Sequence, residues 1–328
     1  MKLCSPVHRL CVTLAAIAVS GASLAQAPLN YPARTVRIVV GFAPGGGTDV
    51  MARLLAQKMT ESTGQSFIVE NRPGAGSNIG TDYVAKATPD GYTLLMAIGS
   101  LAINVSLYSK LPYDAVKDFA PIGLAAVTPN CIAVHPSLPV KSMRELIALA
   151  KARPGEVAYA SAGSGTPVHL SMELFRSMAG IKLLHVPYNG SGPATTAALA
   201  GQVPVLPNTL PITLPHARSG KLRMLGVTSA QRSQLAPEVP TIAEAAGLPG
   251  YEANVWYGLL APAGTPPAII NKLNAEIERL LQQREMRERM VSLGFEPLRD
   301  TPTAFGELIK SDIQKWGKVV RESGAKAD

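Results

Sequence analysis

The sequence predicts an α/β protein made of two parallel-sheet lobes joined by two extended crossover segments. Three observations carry this. An apolar β-branched run, a small-residue turn and a helical pattern recur along the chain, which is the signature of strands alternating with helices. Two long extended stretches, "FAPIGLAAVTPNCIAVHP" and "EANVWYGLLAP", separate one set of repeats from the next and lead back. The apolar fraction of 47% in 328 residues is ample for two buried cores.

In order, "VRIVV" is the first strand, followed by "GFAPGGGTD" and a helix with Val50, Met51, Leu54, Leu55 and Met59. "SFIVENR" leads through "PGAGSNIG" to a helix around Ala85, and "YTLLMAIGS" is a strand ending at Ser100. After the first crossing, "VAYAS" passes through "AGSGTP" to a helix with Leu170, Leu174, Phe175 and Met178. "KLLHVPY" passes through "NGSGPA" to an alanine-rich helix, then come "VPVLPNT" and "KLRMLGVTS". After the second crossing, Ile269, Ile270, Leu273, Ile277 and Leu280 share one helix face, and Phe305, Leu308, Ile309, Ile313, Trp316 and Val320 another. The expected division is residues 28–128 with 254–328 in lobe 1, and 129–253 in lobe 2.

Residues 1–27 read as a secretory leader. Lys2 and Arg9 give a positive start, "LCVTLAAIAV" is an apolar core too short to span a bilayer, and "SLAQA" supplies small residues for cleavage after Ala25 or Ala27. The protein is therefore expected in the periplasm as a soluble chain. Cys4 and Cys11 leave with the leader, so Cys131 remains alone and no internal disulfide can form. Losing Lys2 and Arg9 takes the basic residues from 31 to 29 against 23 acidic ones, a net charge of +6. The bases are scattered, with no stripe interleaved with aromatics, which argues against a nucleic-acid partner.

In open parallel sheets, ligands sit beyond the carboxyl ends of the strands. The turns there offer Gly45 to Asp49, Pro73 to Gly80, Ser100, Ser161 to Thr166, Tyr188 to Gly192, and Pro207 to Thr209. They are rich in Gly, Ser, Thr and Asn and poor in charge. Backbone N–H groups at helix N-termini can receive a carboxylate without lysine or arginine. Each serine or threonine alone is as well explained as a helix cap; comparable turns in both halves favour a shared ligand.

Other chemistries lack their residues. No Lys-Ser or Lys-Thr follows the glycines, as a phosphate loop requires, and the third glycine of a dinucleotide fingerprint is Val50 or Ile79. Tyr159 stands where a nucleophile elbow needs glycine. His135, His169, His185 and His216 have no metal-ligand spacing, so neither metal nor cofactor is expected. His169 falls in the first turns of a helix and can face either a cleft or the surface.

The segments "YPARTVRIVVGFAPGGGTDVMARLLAQKM", "VENRPGAGSNIGTDYVAKATPDGYTLL", "LPYDAVKDFAPIG", "ASAGSGTPVHLSMELF", "HVPYNGSGPATTAALAGQV", "GKLRMLGVTSAQRS", "VPTIAEAAGLPGYEANVWYGLLAPAGTP" and "KWGKVV" resemble, in this order, the substrate-binding proteins of tripartite tricarboxylate transporters, the Bug receptors. The resemblance implies the type II periplasmic binding-protein fold and a monomeric, non-enzymatic receptor. Such a receptor closes on a small organic carboxylate and delivers it to two integral membrane permease subunits. It implies ligand contacts from Gly45, Gly46 and Gly47 on one side and Ser161 to Thr166 on the other, with Tyr188 at the distal end. The candidate binding set is Phe42, Gly45, Gly46, Gly47, Thr48, Asp49, Asn78, Ser100, Ser161, Ser164, Thr166, His169, Tyr188 and Asn208. One segment departs from the pattern: relatives read about "GQVDLMFDN" where this chain has "GQVPVLPNT", so Pro204, Pro207 and Asn208 replace an acid, an aromatic and an acid. This leans toward an acid without an amino group. An exported enzyme on the same two-lobe fold, and a ligand-sensing module for a membrane receptor, are the alternatives.

Overall fold

The computed structural model describes residues 30–233 and 235–327. The expected leader lies outside the described residues.

Eight of the ten strands among the described residues form one path in the order β2-β1-β3-β9-β4-β7-β5-β6, and the other two, β8 and β10, pair with β4. The first parallel set is β1 (Val36–Val40), β2 (Phe67–Asn71) and β3 (Thr93–Ile98). The second contains β5 (Ala158–Ser161), β6 (Leu184–Pro187) and β7 (Val205–Thr209). The extended stretches are β4 (Phe119–Val134) and β9 (Asn254–Pro262), as the sequence suggests. They differ from the repeats in direction: β9 runs antiparallel to β3 and to β4, and β4 antiparallel to β7. The 16-residue β4 serves both sets. Its first part pairs with β9, and Asn130–Val134 pair with β7 on one side and residues of β8 (Arg223–Val227) on the other. The short β10 (Glu296–Pro297) pairs with β4 at Ala126 and Val127.

The period-two alternation of the strands fixes which residues meet which helices. Ile38, Val40, Leu94, Met96, Val255 and Tyr257 share a core with Met51, Leu55 and Met59 of α1 (Gly47–Thr63) and Leu273 and Ile277 of α9 (Pro267–Gln282). Their neighbours Val39, Leu95 and Trp256 face the opposite way. They meet Val84 of α2 (Asn78–Ala85), Leu101 of α3 (Ser100–Leu107), and Phe305 and Ile309 of α11 (Pro302–Ser323). The second set has its own core with α4 (Met143–Ala152) and α5 (Pro167–Ala179), and α11 reaches into it with Trp316 and Val320 beside Phe175 and Leu170. The C-terminal helix thus packs on both cores. The remaining helices are α6 (Ser191–Leu199), α7 (Leu210–Arg218), α8 (Ile242–Ala246) and α10 (Arg284–Ser292). Cys131 in β4 is fully buried.

Asp312 of α11 accepts a hydrogen bond from Trp256 Nε1 at 2.7 Å. Burial pushes its carboxyl above the ordinary range, with the indole partly offsetting. A folded-state pKa above the unfolded one means that this group's contribution to stability is present at low pH and is lost as pH rises through the folded value. Asp312→Asn is therefore expected to melt at or above the wild-type temperature at pH 8 and to lose that relative advantage at pH 4, as read by thermal unfolding at both pH values.

Candidate functional site

Four strand-to-helix turns end at the junction of the two parallel sets. β1 leads through residues 41–46 to α1, β5 through 162–166 to α5, β6 through 188–190 to α6, and β7 passes directly into α7 at Thr209. Parallel strands deliver each helix N-terminus to the same end of the sheet. Because β9 and β4 stand between the two sets, the turns face each other across them.

There they enclose a cavity of about 30 Å³, lined by Gly46, Gly47 and Thr48 at the start of α1, Thr166, Pro167 and Val168 at the start of α5, Ser191 of α6, and Thr209, the last residue of β7 and the N-cap of α7. Phe42, Ile98, Ala162, Val255 and Tyr257 complete the wall, and no charged side chain lines it. The helices are 17, 13, 9 and 9 residues long, so each presents about half a positive charge at its N-terminus. In α1 the first intrahelical bond is Val50 N to Gly46 O at 3.0 Å, which leaves the amides of Gly47, Thr48 and Asp49 without helix partners. In α5, His169 N is taken by Thr166 Oγ1 at 3.3 Å and Pro167 has no N–H, so Val168 offers the free amide of that turn.

Two hydroxyls complete the chamber. Tyr257 and Thr209 are buried, and neither hydroxyl oxygen has a hydrogen-bond partner of ordinary geometry. Burial raises the Tyr257 phenol well above its usual range, with the adjacent Thr209 hydroxyl partly offsetting, so it is a neutral donor at any working pH. Gly47 makes room for both: a Cβ there would lie 2.8 Å from Tyr257 Oη and 3.0 Å from Thr209 Oγ1.

An open groove of about 190 Å³ continues outward past Phe42 and Ala162, which border both spaces. It is lined by residues 74–77, Tyr108, Gly163, Ser164, Pro187, Tyr188 and Asn189, again without charge. Two non-glycine residues in it, Ala75 and Ser77, have positive φ (47° and 85°), a strained conformation that proteins retain mainly at functional sites. Ala43 N donates to Asn189 O at 3.4 Å, joining the two rims. A larger space of about 380 Å³ lies elsewhere, between Phe119 and Ile309, but it is open and mostly apolar and only the first turn of α11 reaches it.

Of the sequence candidates, Phe42, Gly46, Gly47, Thr48 and Thr166 line the chamber, and Phe42, Ser164 and Tyr188 line the groove. The others line neither space, and of them Gly45 is exposed to solvent. Gly45 N donates to Asp49 Oδ2 at 3.0 Å, and Asp49 also accepts from Arg53 and Asn71. Burial raises the Asp49 carboxyl, but these three hydrogen bonds outweigh it and hold the group below the usual carboxylate range. Asn71 in turn donates to Phe42 O at 3.0 Å, so the cluster pins the first turn. Asn78 Oδ1 accepts from Asn104 and Tyr113. Ser100 is buried at the start of α3 with an unpartnered hydroxyl and lines neither space. Ser161 Oγ pairs with His185 Nε2 at 2.6 Å, His169 Nδ1 accepts from Gly165 N at 3.2 Å, and Asn208 Nδ2 donates to Thr195 Oγ1 at 2.9 Å. Among the described residues there is no group of three or more His, Cys, Asp or Glu placed to hold a metal.

Sequence reasoning passed over Tyr257. A signal existed: alternation along "NVWYGLL" puts Tyr257 on the same face as Val255, where a phenol hydroxyl needs a partner.

Residues 51–325 match the family described as tripartite tricarboxylate transporter family receptor. The chain is 43% identical to protein BugT of Bordetella pertussis over 312 residues, 94% of this chain and 95% of that one. Among solved structures it resembles Rpa4515 of R. palustris with adipate (37% identity, TM-score 0.88, covering 91% of this chain and all of that one). It also resembles MatC of Rhodopseudomonas palustris with bound malate (35% identity, TM-score 0.84, covering 88% and 100%). The relatives are aligned along nearly their whole length, through both parallel sets and both crossings, and on that footing this chain belongs to the tripartite tricarboxylate transporter receptor family.

Proposed function

We propose that this protein is an extracytoplasmic receptor that closes two lobes, residues 28–128 with 254–328 and residues 129–253, around one carboxylate of a small organic acid. The observation that carries the reading is the convergence of four helix N-termini, from both parallel sets, on one buried chamber without a cationic side chain. A carboxylate there meets free amides of α1 and α5 and the hydroxyls of Tyr257 and Thr209. A ligand touching both sets favours the closed arrangement because only that arrangement satisfies both of its sides. No acidic side chain lines chamber or groove to pair with an ammonium, which favours an acid without an amino group. The dicarboxylates carried by the two structural relatives are of this kind. The receptor then hands the acid, as a monomer in the periplasm, to two membrane permease subunits. No helix among the described residues is long and apolar enough to cross a membrane.

Thermal unfolding and calorimetry with adipate, malate and aspartate test this. Binding raises the melting temperature by mass action; the non-amino acids are expected to do so more than aspartate, and a panel of organic acids without any shift would sink the reading. Tyr257→Phe is expected to weaken the bound acid about 10- to 100-fold, the range for a hydrogen bond to a charged group, while leaving unfolding unchanged. Equal affinity would remove Tyr257 from the site.

One contact favours a second reading, an exported hydrolase: Ser161 and His185 have the spacing of a nucleophile and its base. Ser161 has zero exposure, lines neither space, and its Oγ accepts the Gly163 N–H at 3.1 Å. The receptor reading predicts that bound acids are recovered unchanged after prolonged incubation.

A further inference from the structure

The loop 162–166 supplies Ala162 and Thr166 to the chamber and Ser164 to the groove. Beneath it lies a cluster of titratable groups, Tyr159 and His169 buried and His185 half-buried, that the binding chemistry does not use. The imidazoles of His169 and His185 stack with centroids 4.1 Å apart and planes 10° from parallel. Tyr159 stacks on His185 at 4.9 Å, making a three-ring pile. Each imidazole holds one loop amide. His169 Nδ1 accepts directly from Gly165 N; His185 Nε2 holds Ser161 Oγ, which accepts from Gly163 N.

We propose that His169 and His185 are positioning residues for ligand capture, and that capture requires His169 to be uncharged. The inference rests on the receptor reading of the chamber above. An Nδ1 that accepts an N–H carries no proton, so the hydrogen bond fixes the Nε2–H tautomer. That Nε2 faces Glu173 Oε1 at 3.8 Å. Protonation at Nδ1 sets two donors against each other, N–H of Gly165 and N–H of the ring. The loop is closely packed here: Gly165 sits at φ 79°, and a Cβ built there would lie 2.1 Å from Asn104 Oδ1. Protonation therefore displaces the segment that carries Ser164 and Thr166.

The groups facing the pair come from three elements. On α5, Glu173 is buried and accepts from Tyr159 Oη at 2.7 Å and from Arg176 in a short ion pair. β5 brings Tyr159 and Ser161, and β6 brings His185 itself. Around them, the loop before β9 brings Tyr251, whose hydroxyl donates to Ser171 O, while β7 and α11 add Val205 and Trp316 to the same core. Glu173 favours an imidazolium at His169. Arg176, the positive end of α5 and a second charge on the stacked His185 oppose it. As the imidazole takes up a proton, ligand affinity is expected to fall with falling pH, the reverse of what simple attraction between an imidazolium and an anionic ligand would give.

The test compares wild type, His169→Gln and His169→Ala with adipate and malate as probes, at pH 7.8 and 5.8. Wild-type affinity is expected to drop about tenfold at pH 5.8, the cost of one lost hydrogen bond. Glutamine keeps an acceptor for Gly165 N but does not titrate. His169→Gln is expected to bind like wild type at pH 7.8 and to stay level at pH 5.8, and His169→Ala to bind weakly at both. The acids' own titration is common to all three proteins, so the difference between wild type and His169→Gln isolates the imidazole. Wild-type affinity that is unchanged or higher at pH 5.8, or an equal fall in His169→Gln, overturns the proposal while leaving the receptor reading intact. If neither acid binds at pH 7.8, that reading fails for these acids. Amide exchange at Gly163 and Gly165 in the ligand-free protein then decides: loss of protection at pH 5.8 in wild type but not in His169→Gln supports the positioning role, and equal protection overturns it.

Discussion

Gly47→Ala is expected to abolish ligand capture while leaving the protein folded. Alanine is the better helix former by about 1 kcal/mol, and Gly47 opens α1, so the isolated helix gains. The chamber loses more. The new methyl would stand 2.8 Å from Tyr257 Oη and 3.0 Å from Thr209 Oγ1, inside contact distance of the two hydroxyls that the bound carboxylate needs. Tyr257 cannot swing aside, because its ring is fully buried and packs edge-on against Phe295 at 5.2 Å. The two sets must then separate or the hydroxyls must turn away. We expect at least a 100-fold loss of affinity, about 2.7 kcal/mol, read by calorimetry with the best acid of the panel. Circular dichroism should stay near wild type, and the ligand-free melting temperature should fall by no more than several degrees, the cost of overpacking. Unimpaired binding would show that the α1 N-terminus is not where the acid sits.

Phe305→Ala carries the largest expected effect on stability, about 3–5 kcal/mol. Phe305 is fully buried, meets Trp256 edge-on at 5.3 Å, and fills the space over β9 that Gly258 leaves open. A Cβ on Gly258 would lie 2.4 Å from Phe305 Cζ, so ring and bare strand are fitted to each other. Removing the ring leaves a hole that a strand fixed by ladders on both sides cannot collapse into. At about 2–4 °C per kcal/mol for a domain of this class, the melting temperature should fall by roughly 10 °C. Because α11 also carries Trp316 into the second core, the loss should appear as one cooperative transition rather than early melting of one set. A drop of only a degree or two would mean that α11 is not the brace its packing describes.

The local parts of this architecture were legible in the sequence because each turn announces itself. Glycine where the chain reverses, followed by Ser, Thr or Asn before an apolar periodic run, gave β1–α1, β5–α5 and β6–α6. Five helices were passed over: α4 and α8 do carry clear signals, Ser142 and Thr241 as N-caps with Glu three residues on, and the other three have weaker ones. α3, "SLAINVSL", buries Ser100 and Asn104 along with its apolar residues and shows no apolar stripe, α7 contains Pro211 and Pro215, and α10, "REMRERMVS", buries only Met286 and Met290. The chamber was half legible. Gly46, Gly47, Thr48 and Thr166 follow from their turns, but Tyr257 and Thr209 meet Gly47 only because β9 inserts between β3 and β4, and strand order is a tertiary fact. The departure at Pro204, Pro207 and Asn208 looked like a change in ligand contacts. In the fold Asn208 turns to Thr195 and its own Thr209 N–H, and Thr209 is the residue in the wall. Pro207 is tolerated in β7 because the ladder to β5 is confined to Tyr159 and Val205.

The lone thiol of Cys131 has a practical consequence. It is the one cysteine among the described residues, and burial pushes its pKa up to about 12, so it offers no thiolate to a maleimide. A cysteine introduced at the exposed Asn189 would therefore take a fluorescent dye selectively without any further engineering. The dye would sit on the rim that touches Ala43, where emission follows the arrival and departure of each acid in real time.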